Sequence, residues 1–256
     1  MAGGGRPKAT RELPPPLPPE QRTVGQLVGE AVRLYGATFF RALALGVPVV
    51  VVNAAAWGTS SGADRLLVAP VAALLIPLSY VAASALVLGA PHGRKSILVA
   101  YVLGIVVFLP FLFLVWFFVL PGLLWLALFG LAVPVAVVEG LGFRAALARG
   151  LELSRTDFVH VLGGLATLAL VVLLTQAGLY FVLREYAENT QRAAGALASL
   201  VVSPIVFLGA ALLYTDQEAR LRSRARGKER DADIPHAHDA DREGRPDAAR
   251  KPGPAA

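Results

Sequence analysis

The 256-residue sequence contains no cysteine, and this absence excludes several kinds of chemistry. A chain without cysteine has no disulfide bond, no thiolate metal site and no cysteine nucleophile. Only four histidines occur, and none lies in the His-Glu-x-x-His spacing of a zinc protease. Two of them, His236 and His238, lie in a polar C-terminal segment where we expect them to be solvated. The sequence therefore predicts no metal site and no cofactor.

Charge is also scarce. Charged residues make up 16% of the chain and hydrophobic residues 55%, whereas soluble domains carry roughly 25% charge. The longest uncharged run, Ile97 to Val138, has 42 residues. As a helix this run is about twice the ~30 Å thickness of the bilayer hydrocarbon. It must cross a membrane twice, and Pro121-Gly122 predicts the turn between the two crossings.

These runs predict an all-α, polytopic membrane protein with six transmembrane helices. Two amphipathic elbows, Val24 to Tyr35 and Leu141 to Arg155, are predicted to lie in the membrane interface. Thr23 and Gln26 form a capping-box pattern at the start of the first elbow. We expect disordered tails at 1–22 and 223–256 around a membrane domain at 23–222. The predicted spans are about 42–57, 66–90, 97–120, 122–138, 158–183 and 193–214.

The distribution of basic residues predicts the orientation of these spans. With six crossings, 21 of the 24 Lys and Arg residues fall on one side and 3 on the other. Cytoplasmic loops carry the excess of Lys and Arg. We therefore expect a cytoplasmic (plasma) membrane protein with both termini in the cytoplasm. The high ratio of Arg to Lys suggests a bacterial source. Because the basic residues lie beside apolar runs, we attribute them to membrane topology and expect no nucleic-acid partner.

No charged residue is predicted deep within a span. Coupled transport and intramembrane aspartyl catalysis normally require buried carboxylates, so neither class is favoured. Hydrogen bonding between helices accounts for the polar residues that the spans do contain. A polar path past Asn53, Tyr80 and Gln176 would instead indicate a carrier. The polar residues within the spans are Asn53, Ser79, Tyr80, Ser84, His160, Thr167, Thr175, Gln176, Ser199 and Ser203.

The most distinctive group of charged residues follows the fourth span. Glu139 ends that span, and Arg144, Arg149 and Arg155 lie on the second elbow. Glu139 is expected to pair with one of these arginines or with the basic residues after span six, which would tie the elbow to the bundle. The alternative is a phosphate or lipid-headgroup site made by the arginines. The full candidate set is Glu139, Arg144, Arg149, Arg155, Tyr214, Asp216 and Arg220.

The same residues carry a family resemblance. The segments Ala132 to Gly140 and Ala145 to Arg155 resemble a signature of multi-pass bacterial proteins known as glycerophosphoryl diester phosphodiesterase membrane domains. Tyr214-Thr215-Asp216, followed by Arg220, resembles the end of that family's sequences. The resemblance covers about Thr23 to Arg222 and implies a six-helix membrane bundle. It implies no diesterase activity, because in fused members that chemistry belongs to a separate barrel of ~250 residues.

We therefore expect a non-enzymatic membrane protein with no catalytic residue. In this interpretation, it organises membrane lipids with anionic headgroups, or a partner membrane protein, through its elbows and basic tail. The alternative is a transporter or flippase-like carrier of an amphipathic molecule. A membrane-embedded enzyme that uses His160 is the third interpretation.

Overall fold

The computed structural model describes residues 18–57, 59, 62–89 and 93–233. These residues form helices and connecting turns, with no β-strand among them. Six segments are long and apolar enough to cross a membrane, which confirms an all-α polytopic architecture. The helices are α1 (Val24–Ala37), α2 (Phe39–Ala44), α3 (Val47–Trp57), α4 (Gly62–Leu88), α5 (Arg94–Phe117), α6 (Val119–Phe129), α7 (Ala132–Glu139), α8 (Phe143–Thr156), α9 (Phe158–Leu183) and α10 (Glu188–Asp233).

The two predicted elbows are α1 and α8. The capping box at the start of α1 is present, because the Gln26 N–H bonds to the Thr23 side chain and the Thr23 N–H to the Gln26 side chain. One face of α1 is buried against α9 and α10 through Leu27, Ala31 and Tyr35. Helix α8 likewise packs against α6, α7 and α10. Both elbows are therefore part of the bundle, and they define what we call its elbow end.

The first span is divided between α2 and α3, which break at Leu45 and Gly46. Pro48 is the second residue of α3, a position where no helical N–H bond is required. The buried Ser79 hydroxyl donates to the Leu45 carbonyl at 2.7 Å, which satisfies a backbone group at the break. A Cβ on Gly46 would lie only 2.3 Å from the Leu200 carbonyl oxygen, so glycine is required where α3 approaches α10.

The hairpin between the third and fourth spans turns earlier than predicted. Helix α5 ends at Phe117, Phe118 is extended (φ −151°, ψ 126°), and α6 begins at Val119. The prediction of a break at Pro121-Gly122 was therefore wrong by three residues. Pro121 lies in the first turn of α6, where backbone N–H groups have no acceptor within the helix, so proline costs no helical hydrogen bond there. The Trp125 indole N–H donates to the Val107 carbonyl at 2.9 Å and ties the two helices together.

The sixth span belongs to a helix of 46 residues that extends well beyond the predicted 193–214. The predicted disordered tail from 223 was wrong as far as Asp233, because α10 continues to that residue. The (i, i+4) ion pair between Glu218 and Arg222 supports the helix where it leaves the bundle. The predicted tail at 1–22 was also too long, since Pro19–Gln21 forms a 3-10 turn that packs on α10. The remaining tail predictions, 1–17 and 234–256, lie outside the described residues.

Candidate functional site

Two polar clusters occupy the elbow end, and the candidate residues are divided between them. The Glu139 cluster consists of Glu139, Arg149, Glu152 and Tyr214. The Asp216 cluster consists of Arg22, Asp157, His160, Asp216 and Arg220. Helix α10 contributes Tyr214 to the first cluster, and Asp216 and Arg220 to the second.

The Glu139 cluster joins α7, α8 and α10. Helix α7 ends at Glu139 because Gly140 adopts the left-handed conformation (φ 65°). The Tyr214 hydroxyl donates to Glu139 Oε1 at 3.0 Å, and Arg149 Nε lies 3.6 Å from the same oxygen. Arg149 also donates to Glu152 at 2.8 Å. The hydrogen bond that Arg149 donates to Glu152 and the negative charge of Glu139 raise the pKa of the Arg149 guanidinium. This arginine is held between two carboxylates and ties α8 to the bundle.

The Asp216 cluster is centred on a fully buried carboxylate. Asp216 is 0% exposed, and its Oδ1 lies 2.6 Å from Arg22 Nη1. Its second oxygen, Oδ2, lies 3.5 Å from His160 Nε2. Neither of these last two atoms has a hydrogen-bond partner within the described part of the chain. A buried charge is costly unless it is paired, so Arg22 is needed where Asp216 lies.

Arg220 holds the same cluster from the next turn of α10. It donates to Asp157 Oδ2 at 2.5 Å and to the Arg22 carbonyl at 2.9 Å, and its Nη2 lies 3.3 Å from His160 Nδ1. The other oxygen of Asp157 accepts the His160 backbone N–H at 3.2 Å and caps α9. The start of α1, the start of α9 and the outer part of α10 are thereby fixed to one another.

Arg144 and Arg155 belong to neither cluster. Both lie on the exposed face of α8, and neither forms an ion pair with a described residue. The candidate set therefore separates into arginines that are held by carboxylates, Arg149 and Arg220, and arginines that face outward.

Sequence reasoning missed three members of the Asp216 cluster. Arg22 was placed in the disordered tail, Asp157 received no role, and His160 was considered as a helix-bonding or catalytic group but not as a neighbour of Asp216. A signal was present for Asp157, since an aspartate directly before an apolar run is a typical helix N-cap. For Arg22 the signal was its position directly before the Thr23 capping box, because the ordered start of α1 also fixes the backbone of the preceding residue. No local pattern indicates that either residue lies near Asp216.

A third polar group lies at the opposite end of the bundle. Asn53 Nδ2 and Gln176 Nε2 both donate to Ser199 Oγ, at 2.9 and 3.0 Å. These side chains line a cavity of about 860 Å³ between α3, α9 and α10. Tyr80 lies elsewhere, in an apolar cavity of about 190 Å³ with Phe108. The three residues whose alignment along one polar path would indicate a carrier, Asn53, Tyr80 and Gln176, therefore lie in two separate cavities.

Comparison of the chain with known protein families, with curated proteins and with solved structures finds no match. The resemblance to the diester phosphodiesterase membrane domains therefore stays a prediction. Within the described ranges, no group of three or more His, Asp or Glu side chains is arranged to hold a metal ion.

Proposed function

We propose that this protein is a non-enzymatic protein of the cytoplasmic membrane that organises anionic lipids at its elbow end. The observation that supports this proposal is the exposed pair Arg144 and Arg155 on α8. They are 11 residues apart, three helical turns, and so lie on one face about 16 Å from each other. Two exposed cations on one face can each bind an anionic headgroup, or can together contact an acidic surface of a partner membrane protein.

The basic extension of α10 supports the same proposal. Arg224, Arg226 and Lys228 are exposed where the helix leaves the elbow end. The positive-inside rule predicts that this end lies in the cytoplasm, next to the leaflet that carries anionic lipids. Each basic residue near such a surface contributes ~1 kcal/mol to the attraction.

Lipid retention in nanodiscs tests the proposal. The protein is reconstituted in a mixture of phosphatidylglycerol and phosphatidylcholine, and the retained lipids are counted by native mass spectrometry. The combined Arg144→Gln and Arg155→Gln variant should lose preference for phosphatidylglycerol by up to about 30-fold, from ~1 kcal/mol for each charge. Arg184→Gln, an exposed arginine at the opposite end, is the matched control. An unchanged preference in the double variant would contradict the proposal.

The absence of cysteine makes the proposed orientation directly testable. Single cysteines are introduced at exposed positions, Ala187→Cys between α9 and α10 and Ser223→Cys on the extension of α10. In intact cells a membrane-impermeant maleimide should label only the first, and lysis should expose the second. Labelling of Ser223→Cys in intact cells would show that the orientation is opposite to the proposed one.

A carrier of an amphipathic molecule is the second candidate function. The observation that favours it is the cavity lined by Asn53 and Gln176, which lies far from the proposed lipid-organising face. Protein-dependent movement of a labelled phospholipid between the leaflets of reconstituted vesicles would support this role.

A further inference from the structure

The cavity between α3, α9 and α10 opens at the end of the bundle opposite the elbows, which we call the cavity end. Trp57 at the end of α3 and Leu183 at the end of α9 both line it. Its volume of about 860 Å³ lies within the range of small-molecule sites, roughly 300–1,000 Å³.

The floor of the cavity offers neutral hydrogen-bonding groups. Ser199 is 5% exposed and accepts both amide N–H groups that reach it, from Asn53 and Gln176. Its own hydroxyl proton has no hydrogen-bond acceptor among the described residues. Each amide also keeps a carbonyl oxygen and a second N–H for further bonds. This combination suits an uncharged group with both kinds of partner, such as a glycerol ester or a hydroxyl.

The rim of the cavity is ionic. Glu188 and Arg192 form an ion pair one turn apart at the start of α10, and Gln191 lies between them. Gln176 lies seven residues before the end of α9, so the floor is ~10 Å below the rim. The interfacial region of a bilayer is roughly 5–8 Å thick on each side, with the hydrocarbon beneath it. The floor therefore lies close to the level where the ester groups of membrane lipids meet the acyl chains.

The walls of the cavity leave an opening toward the bilayer. Both α3 and α9 pack against α10, but these two described helices have no extended packing contact with each other. Apolar side chains such as Val49, Val172 and Leu179 line the space between them. A wedge of this kind within a membrane is accessible to an acyl chain.

We propose that this cavity is a binding site for one glycerophospholipid of the leaflet opposite the elbow end. The ester region would bond to Asn53, Gln176 and Ser199, the headgroup would lie at Glu188 and Arg192, and one acyl chain would fill the gap between α3 and α9. Hydrogen bonding between helices explains why the three floor residues meet. It does not explain why the space above them stays open to the rim. This site goes beyond the proposed role of the elbow end and shares no residue with it.

A pair of matched glycine variants tests the site. A Cβ on Gly195 would have Trp57 as its nearest neighbour, at 3.9 Å, so Gly195→Leu fills the cavity without a backbone clash. Gly178 on α9 is exposed and has no neighbour within 4 Å, so Gly178→Leu adds the same side chain outside the cavity. Gln176→Leu keeps the volume but removes one hydrogen-bonding group of the floor.

The full-length variants are reconstituted in phosphatidylcholine vesicles that contain a photoactivatable phosphatidylcholine, and cross-linked peptides are mapped. We expect cross-links concentrated on the cavity residues of α3, α9 and α10. They should fall at least tenfold in Gly195→Leu, fall about fivefold in Gln176→Leu from the loss of ~1 kcal/mol, and stay unchanged in Gly178→Leu. Circular dichroism and gel filtration verify that each variant is folded.

Three outcomes would overturn the proposal. The first is cross-linking spread evenly over all lipid-facing helices. The second is an equal effect of the two glycine variants. The third is a cavity that retains a water-soluble adduct and no phospholipid in native mass spectra. None of these outcomes depends on Arg144 or Arg155, so failure here is distinguishable from failure of the proposed function.

Discussion

Removing the charge of Asp216 should detach the N-terminal segment from the bundle. Asp216 is fully buried, and its Arg22 partner is only 13% exposed. Asp216→Asn preserves the shape of the side chain but leaves the Arg22 guanidinium without a buried counter-charge. Breaking a buried ion pair costs about 3–5 kcal/mol. Because the asparagine oxygen can still accept a hydrogen bond from Arg22, we expect the lower limit, about 3 kcal/mol.

Two assays measure this effect in detergent micelles. Equilibrium unfolding gives the free energy of unfolding, and hydrogen exchange reports the amides of Gln21 and Arg22, which bond to Pro18 and Pro19 carbonyls. Both amides should exchange faster in Asp216→Asn. A double-mutant cycle with Arg22→Gln should give a coupling of about 2 kcal/mol, since a charge-assisted hydrogen bond contributes about 1.5–3 kcal/mol.

The matched control is Glu218→Gln, two residues further along α10. Glu218 pairs with Arg222, whose side chain is 71% exposed, so this ion pair contributes less than about 1 kcal/mol. Equal destabilisation by the two substitutions, or no coupling between Arg22 and Asp216, would refute the assignment of a buried pair that holds the N-terminal segment.

Two further substitutions, each with a matched control, test contacts made by α10. Gly46→Ala should cost at least about 2 kcal/mol in unfolding, because its Cβ would meet the backbone of α10 and force α3 away. Gly29→Ala, where nothing lies within 4 Å, should instead stabilise α1 by about 0.5–1 kcal/mol. Tyr214→Phe should cost about 1–3 kcal/mol, because it removes the hydroxyl that donates to Glu139. Tyr186→Phe, at a side chain 61% exposed, should change the free energy of unfolding by less than about 0.5 kcal/mol.

The six spans could be predicted because hydrocarbon thickness constrains them. The uncharged run from Ile97 to Val138 is too long for one crossing, and the structure divides it into two. The position of the turn was harder to predict from the sequence. Proline is incompatible with a helix interior but not with a first turn, so Pro121 indicates a helix boundary only to within several residues. The boundary itself is set by the extended Phe118 and by packing of Gly122 against Val115.

The candidate site could be predicted only in part, because ion pairs between residues distant in the sequence leave no local pattern. Glu139 and Arg149 are only ten residues apart, so their pairing could be predicted from the local sequence. Arg22 and Asp216 are separated by 194 positions, and no periodicity relates them. Their proximity follows from the packing of α1 on α10, which depends on the buried face of Leu27 and Ala31.

Helix α10 relates the two ends of the molecule. Ser199 and Asp216 are 17 residues apart on one continuous helix, about 25 Å along its axis. That distance is close to the ~30 Å thickness of the bilayer hydrocarbon, so the neutral floor of the cavity and the paired charges of the Asp216 cluster lie near opposite surfaces. Pro204 between them removes the N–H that would bond to the Leu200 carbonyl, and Gly46 packs against that same oxygen. The helix is therefore fixed by ion pairs at the elbow end, while at the cavity end it contacts α3 through a glycine and neutral hydrogen bonds. A ligand that widens the gap between α3 and α9 would have to break only the weaker contacts at the cavity end.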